Sequence, residues 1–363
     1  MEKKAGKVDS GLVYLILILL AIGLATVYSA SHPEALYKFG DSFYYLKRQA
    51  IAAMLGIIGM FIMSKISYKF IRKFNMVYIV ACVILTVLTY IAGVEGGGAQ
   101  RWISIFGFTF QSSEAIKVFG VVCMASFLDN NKKHNRNIKY GLLRFLLIAG
   151  FFTGLIVLQQ DLSTAIILFT TFVIMFYVAG ARYIHLFMIG GLGGLGILFL
   201  VAMYPYRIER FMAFRDPFSM MDTYGWQLAQ SLYALGTGGL TGLGIGQSRQ
   251  KFFYLPEAFN DFIFSIFGEE VGFIGCCFLI LIFMVLIWKC ISVSSKSDTY
   301  YGKIMGVGFT SIIATQVLLH IAVVTSSVPP TGRALPFISA GGSSLLFLLG
   351  MMGIMLNISR YRR

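Results

Sequence analysis

About ten apolar stretches recur along this chain, and runs of about 17–25 residues read as helices that cross a bilayer. They lie near 11–30, 49–64, 76–93, 114–128, 141–158, 165–181, 184–204, 262–288, 304–325 and 338–357. In lipid the backbone must satisfy its own hydrogen bonds, so only helices and closed barrels span. Short alternating segments of the barrel type are absent. The chain is 57% hydrophobic and 13% charged, against about 25% charged in a soluble domain. The reading is an all-α integral membrane protein. One polytopic domain, 1–363, forms a bundle of about ten transmembrane helices, with one long extracellular loop, 205–261, before helix eight.

The first run ends in Tyr28-Ser29-Ala30, which resembles a signal-peptidase site. The run is long for a signal peptide and many spans follow, so it is read as a retained helix. The formal charge of +14 could suggest nucleic acid. However, the cations sit in short loops between apolar runs, with no basic, aromatic-interleaved face, which excludes that class. With the N-terminus in the cytoplasm and spans alternating, most of the 30 Lys and Arg fall inside, as the orientation rule requires. Both termini are then cytoplasmic, and the 205–261 loop faces outward.

That loop is far beyond the roughly 15 residues that a structureless connection usually has. It carries Trp226, Tyr233, Phe252, Phe253 and Tyr254, which is not a disordered composition. Asp261 stands where it enters the next span. Two readings stay open for Asp261: a helix cap, or a reacting carboxylate. Glu269 and Glu270 follow on the same helix. Eight residues advance about 12 Å, so Glu269 lies deeper on roughly the same side as Asp261. Structural hydrogen bonding is the expected role of both glutamates.

Ionisable groups at membrane depth are costly and mark function by default. In Gln111-Ser112-Ser113-Glu114-Ala115-Ile116-Lys117, Glu114 and Lys117 are three apart on one helix face. They form either a structural pair or a cation offered to an anionic ligand. In Gln159–Ala165, Asp161 is placed to cap the following helix, or to join Glu114 and Lys117 in a triad acting as rigid support. In Pro329–Ser344, Pro and Gly break the helical pattern, which is tolerated where backbone lines a cavity or is buried in protein. The G-x-G-x-x-G at Gly191–Gly196 lies in an apolar run without a preceding strand and is no dinucleotide site. Gly190 and Gly194 are read as small residues that let two helices approach. The five cysteines and four histidines show no zinc spacing and no catalytic ordering.

Together these stretches resemble the SEDS family (shape, elongation, division and sporulation), which includes the FtsW, SpoVE and RodA proteins. The matching pieces are Gly98–Ile103, Gln111–Lys117, Gln159–Ala165, Asp216-Pro217-Phe218 to Leu228, Gln230-Ser231, Gly238 to Gly244, Tyr254–Glu257, Asp261–Phe264, Glu269-Glu270 and Leu335–Ser344. They run in family order over nearly the whole chain, and Tyr254–Ala258 is closest in wording to the FtsW and SpoVE branch. The family often has Pro at Ser112 and Gln160, Gly at Ser163, Asn near His320 and Tyr at Ala340; Arg333 is unusual beside the Gly332 turn.

The resemblance implies a ten-helix fold and polymerisation of lipid II into peptidoglycan glycan strands, on the outer face of the bacterial cytoplasmic membrane. It places the family's essential acidic residue at Asp261, as general base. Arg101, Lys117, Arg207 and Arg210 become candidates for the departing diphosphate, with Arg215 and Lys251 behind them. Trp102 and Trp226 would lie against sugars or at the interface. Glu114, Asp161 and Glu269 would be structural support. No metal site is called; Mg or Mn could share the charge neutralisation. The implied partners are lipid II, the growing strand, membrane lipid and a class B penicillin-binding protein transpeptidase. A lipid II flippase and a non-enzymatic division scaffold are the competing readings. Division, elongation and sporulation are not separated.

Overall fold

The structure, a computed structural model, describes residues 6–96, 99–105, 108–202, 212–222 and 225–361. Its helices are α1 (Ser10–Phe39), α2 (Tyr44–Lys65), α3 (Tyr68–Ala92), α4 (Ser112–Asn130), α5 (Ile138–Leu158), α6 (Leu162–Val178), α7 (Tyr183–Ala202), α8 (Gly225–Gly238), α9 (Ile263–Ser295), α10 (Tyr300–Val324) and α11 (Gly342–Arg360). Among the described residues, seven are long and apolar enough to cross a membrane, and α6 and α7 are shorter apolar helices. The remaining long one, α4, is the helix that carries the buried Glu114 and Lys117. Each of the ten expected spans thus coincides with a helix over most of its described residues.

Outer faces stay apolar, as contact with lipid tails allows: Val77, Val80, Ile84, Leu88 and Ile91 of α3 are exposed. The enclosed centre is α10 and α11, whose buried residues pack with Leu12, Ile16 and Leu19 of α1 and with Phe152 and Phe172 of α5 and α6. Caps fix the ends. Asp9 Oδ1 accepts from Leu12 N at 3.1 Å, and Thr299 Oγ1 from Gly302 N at 3.1 Å. The two ends of the chain meet. Gly6 N donates to the Arg360 carbonyl at 2.9 Å, and Lys289 Nζ lies 3.6 Å from Asp9 Oδ1. Both termini thus lie on one side of the bundle.

Two features depart from the sequence reading. The α3–α4 connection is a three-stranded antiparallel sheet, β1 (Gly93–Gly96), β2 (Ala99–Ile105) and β3 (Phe108–Gln111), with Trp102 opposite Gln111. It is too short to give a strand signal against its apolar surroundings. Among the described residues Gly190 and Gly194 do not seat a helix: a side chain at either would meet nothing within 4 Å.

The long loop is held by a break in α9. Gly272 has φ 71° and ψ −174°, a region only glycine occupies readily. The break frees backbone groups, and the Gly-rich segment after α8 satisfies them. Leu243 N donates to Glu269 O at 2.9 Å and Gly244 N to Glu270 O at 3.0 Å; Phe273 N donates to Gly239 O at 2.9 Å and Ile274 N to Leu240 O at 3.1 Å. A Cβ on Gly272 would sit 2.3 Å from Gly242 N. Gly272→Ala should therefore lose at least the roughly 1–3 kcal/mol of such a strained residue, read as a lowered midpoint of thermal unfolding in detergent.

Candidate active site

The N-terminal ends of α4 and α6 meet the non-helical segment 325–341 around one buried ion cluster. Lys117 Nζ lies 2.9 Å from Glu114 Oε2. Asp161 accepts from Thr164 N at 3.2 Å through Oδ1. Its Oδ2 takes Gln111 Nε2 at 3.1 Å, Ser113 Oγ at 2.9 Å and Thr164 Oγ1 at 2.8 Å. The cation joining the two carboxylates is Arg333: Nη2 is 2.6 Å from Asp161 Oδ1, and Nη1 is 3.8 Å from Glu114 Oε1. The expected triad had Lys117 in that place. Lys117 pairs one helical turn away instead, because i,i+3 neighbours meet without ordering a loop. All four groups are buried. Burial alone would raise the Asp161 carboxyl, but Arg333, Arg101 and the Thr164 bonds outweigh it and hold it down to about 2.

Asp261 is not a helix cap. Phe262 occupies the N-cap position of α9 and makes no side-chain cap bond. Among the described residues no protein group donates to the Asp261 carboxylate and none forms an ion pair with it. Its position is fixed through backbone. Asp261 N donates to Glu257 O at 3.1 Å, and Ala340 N to Phe259 O at 3.0 Å. Ser339 Oγ donates to Asn260 O at 2.7 Å, which clamps the 257–261 turn onto the 325–341 segment. Gly332, at φ +61°, leaves the room: a Cβ there would stand 3.2 Å from Asp261 Oδ2. Burial raises the Asp261 carboxyl to about 6; Arg333 and Arg101 pull it down while Glu257 pushes it up. Non-glycine residues in the left-handed region gather around this place, Gln160 at φ 56° and Glu257 at φ 53° among them, a pattern typical of sites where strain is kept for function.

Glu269 and Glu270 lie below and serve the loop. Glu269 is fully buried and accepts from Ser248 Oγ, from Arg249 N at 3.1 Å and from Gln250 N at 3.3 Å. Glu270 pairs with Lys251 Nζ at 2.9 Å and accepts from Ser29 Oγ of α1 at 2.5 Å. Lys251, a candidate for the diphosphate, is thus committed to a buried pair. Glu269→Ala should leave the Ser248 hydroxyl and two backbone N–H groups unsatisfied, each costing about 1–3 kcal/mol; proteolysis at 247–251, fast in the variant and slow in the parent, reads it.

The other candidates sort as follows. Arg101 on β2 donates through Nη2 to the Gln160 carbonyl at 2.9 Å, next to Asp161. Trp102 on the same strand is half-buried. Trp226 Nε1 donates to Tyr254 O at 2.8 Å, which holds the ring on the long loop. Arg207 and Arg210 lie outside the described residues. Arg215 is exposed. Sequence reasoning missed the role of Arg333; its oddity beside Gly332 was the one available signal. Among the described residues no group of three or more His, Cys, Asp or Glu could hold a metal. A cleft of about 320 Å³, lined by Met63, Ile71, Tyr78, Phe110, Phe119 and Phe347 among others, runs between α2, α3, α4 and α11. Ser343 lines it too and accepts from Gln111 N at 3.4 Å, so the cleft ends against the ion cluster.

The family described as "Cell cycle protein", FtsW, RodA and SpoVE, matches residues 10–363. The chain is 42% identical to stage V sporulation protein E of Bacillus subtilis over 365 residues, the full length of both. It is 37% identical over 353 residues to the probable peptidoglycan glycosyltransferase FtsW of Trichlorobacter lovleyi, covering 97% of this chain and 93% of that one. Two solved structures share the fold at 24% identity. One is a chain of "Structural coordination of polymerization and crosslinking by a peptidoglycan synthase complex" (TM-score 0.80, 97% and 98% covered). The other is the rod shape determining protein RodA of Thermus thermophilus (TM-score 0.72, 98% of each).

Proposed function

Since this chain belongs to the cell cycle protein family of FtsW, RodA and SpoVE, we infer that it is a peptidoglycan glycosyltransferase of the bacterial cytoplasmic membrane. Its substrate class is a prenyl-diphosphate-linked disaccharide, lipid II, joined into glycan strands on the outer face. The observation that carries this reading is Asp261. It is a partly buried carboxylate without a protein donor among the described residues, held by backbone clamps beside buried cations.

A carboxylate raised to about 6 suits proton abstraction near neutrality better than an ordinary one, because base strength and ionised fraction are both retained. The sugar 4-hydroxyl of the acceptor would give its proton to Asp261 as its oxygen bonds to the donor's anomeric carbon. The bond from that carbon to the diphosphate breaks, and the prenyl diphosphate leaves with the electron pair. Cations aimed at the departing oxygens stabilise them most in a water-poor site. Arg101 is the described candidate, and Arg207 and Arg210 remain assigned to the same task. Lys117 would act at longer range, its ammonium being engaged by Glu114. The described residues supply no ligand group for Mg or Mn, and a chelator in the same assay tests whether either shares that neutralisation. The apolar cleft ending at Ser343 suits a prenyl tail. Trp102, on the strand beside Arg101, suits a sugar face.

Both termini, joined on one side, would be cytoplasmic, which follows the charge bias. A polymerase alone makes uncrosslinked strands, so a class B penicillin-binding protein transpeptidase is the fitting partner. The test is glycan formation from lipid II by the pure chain in detergent. Polymer supports a polymerase. No polymer in detergent, with precursor translocation in sealed vesicles, would instead make the chain a flippase.

A further inference from the structure

Arg333 is the buried charge that the proposed reaction leaves unused. It reaches Asp161 at 2.6 Å and Glu114 only at 3.8 Å. Its Nε has no partner among the described residues, although Arg333 is 7% exposed. The backbone holds it in place: the Arg333 carbonyl lies 2.8 Å from His320 Nδ1, and Ser163 Oγ donates to the Thr331 carbonyl at 2.7 Å. Gly332, the residue before it, lies against the Asp261 carboxylate, with room for no more than a tight Cβ at 3.2 Å from Oδ2. One short segment therefore carries both a surface that Asp261 faces and a buried cation.

The charges around Asp261 act in the same sense. Arg333 and Arg101 both favour its ionised form, Arg333 the more strongly, and Glu257, from the turn before Asp261, opposes it. Take Arg333 away and Asp261 loses the stronger of these two cations. An uncompensated charge in a poorly solvated place is resisted far more than in water.

We propose that Arg333 is a positioning residue for Asp261: pinned by Asp161, it supplies the positive field that keeps the neighbouring carboxylate in its ionised, proton-accepting form. This rests on the base assignment to Asp261 for its meaning in catalysis, though the electrostatic coupling itself does not. A purely structural Arg333 would support the segment without changing the proton affinity of Asp261.

The experiment is an infrared titration of the full-length protein in detergent, which needs no turnover. The protonated-carboxyl band of Asp261 is isolated by subtracting the spectrum of Asp261→Asn in the same background. Arg333→Met should move the midpoint of that band upward, on the order of one pH unit for loss of a nearby opposite charge; Arg333→Lys should stay close to the parent. Asp161→Asn, which keeps the shape and frees the guanidinium from its partner, should move the midpoint downward and serves if Arg333→Met does not fold. An unmoved midpoint in either folded variant overturns the proposal. Polymerisation is measured beside it. Band shifts as stated, in a protein that makes no glycan, would sink the polymerase reading and leave the coupling standing.

Discussion

Asp261→Asn should lower the rate of glycan polymerisation by about 10²–10⁴-fold, the usual contribution of a positioned base, while the protein stays folded. The two halves of this expectation come from one geometry. The carboxylate has no protein donor among the described residues, so removing its charge breaks no hydrogen bond. The backbone clamps at 257–261 use main-chain atoms and the Ser339 hydroxyl, and all survive the change. The stability sign follows from the raised carboxyl. Its proton is held more tightly folded, at about 6, than at the ordinary 3.8. Ionising Asp261 as pH rises from about 4 to 6 thus costs stability, a cost fully present above that window. Asn, which never ionises, should unfold at an equal or higher temperature at pH 7 and lose that advantage below pH about 4. An inactive variant with a markedly lowered midpoint would instead mark Asp261 as structural.

Lys251→Ala should destabilise the protein by about 3–5 kcal/mol, because it strands the Glu270 carboxylate in the interior. The pair is among the most deeply placed in the molecule, with side-chain exposures of 0% and 5%. Lys251 Nζ also donates to Gly246 O at 2.8 Å and Ser29 Oγ at 3.2 Å, so it fastens the long loop to α1 and α9 together. Replacing both partners by apolar residues, Lys251→Met with Glu270→Leu, should recover most of the loss, since neither charge then needs a partner. Equilibrium unfolding of the single and double variants separates this from a role on the diphosphate. A ligand-binding lysine would leave the fold intact and weaken substrate binding instead. Activity of Lys251→Ala should fall only in proportion to the folded fraction.

What the sequence made legible was set by range. The spans could be read because apolar length alone dictates them, and the Glu114–Lys117 pair because it needs only one turn of helix. Asp161 and Asp261 stood out as charges at span ends. The contacts that decide their chemistry are remote. Arg333 meets Asp161 across 172 positions, and nothing in local spacing announces such a partner. The glycines after α8 could be quoted as a motif, yet their reason lies in Gly272, whose broken helix they complete. The small sheet at 93–111 was missed because two of its strands have only four residues. The reading of Gly190 and Gly194 as a packing seam failed for a plain reason: small residues permit approach but do not compel it.

The pH dependence of lipid II polymerisation tests the central claim most directly. If the Asp261 carboxylate takes the proton, the rate should be level near pH 7–8 and half-maximal near pH about 6, where this group titrates. Below that it should fall about tenfold per unit, because only the ionised form is competent. The residual rate of Asp261→Asn should lack this limb. A parent rate that stays level down to pH about 4.5, or a variant that keeps the same acidic limb, would contradict the account.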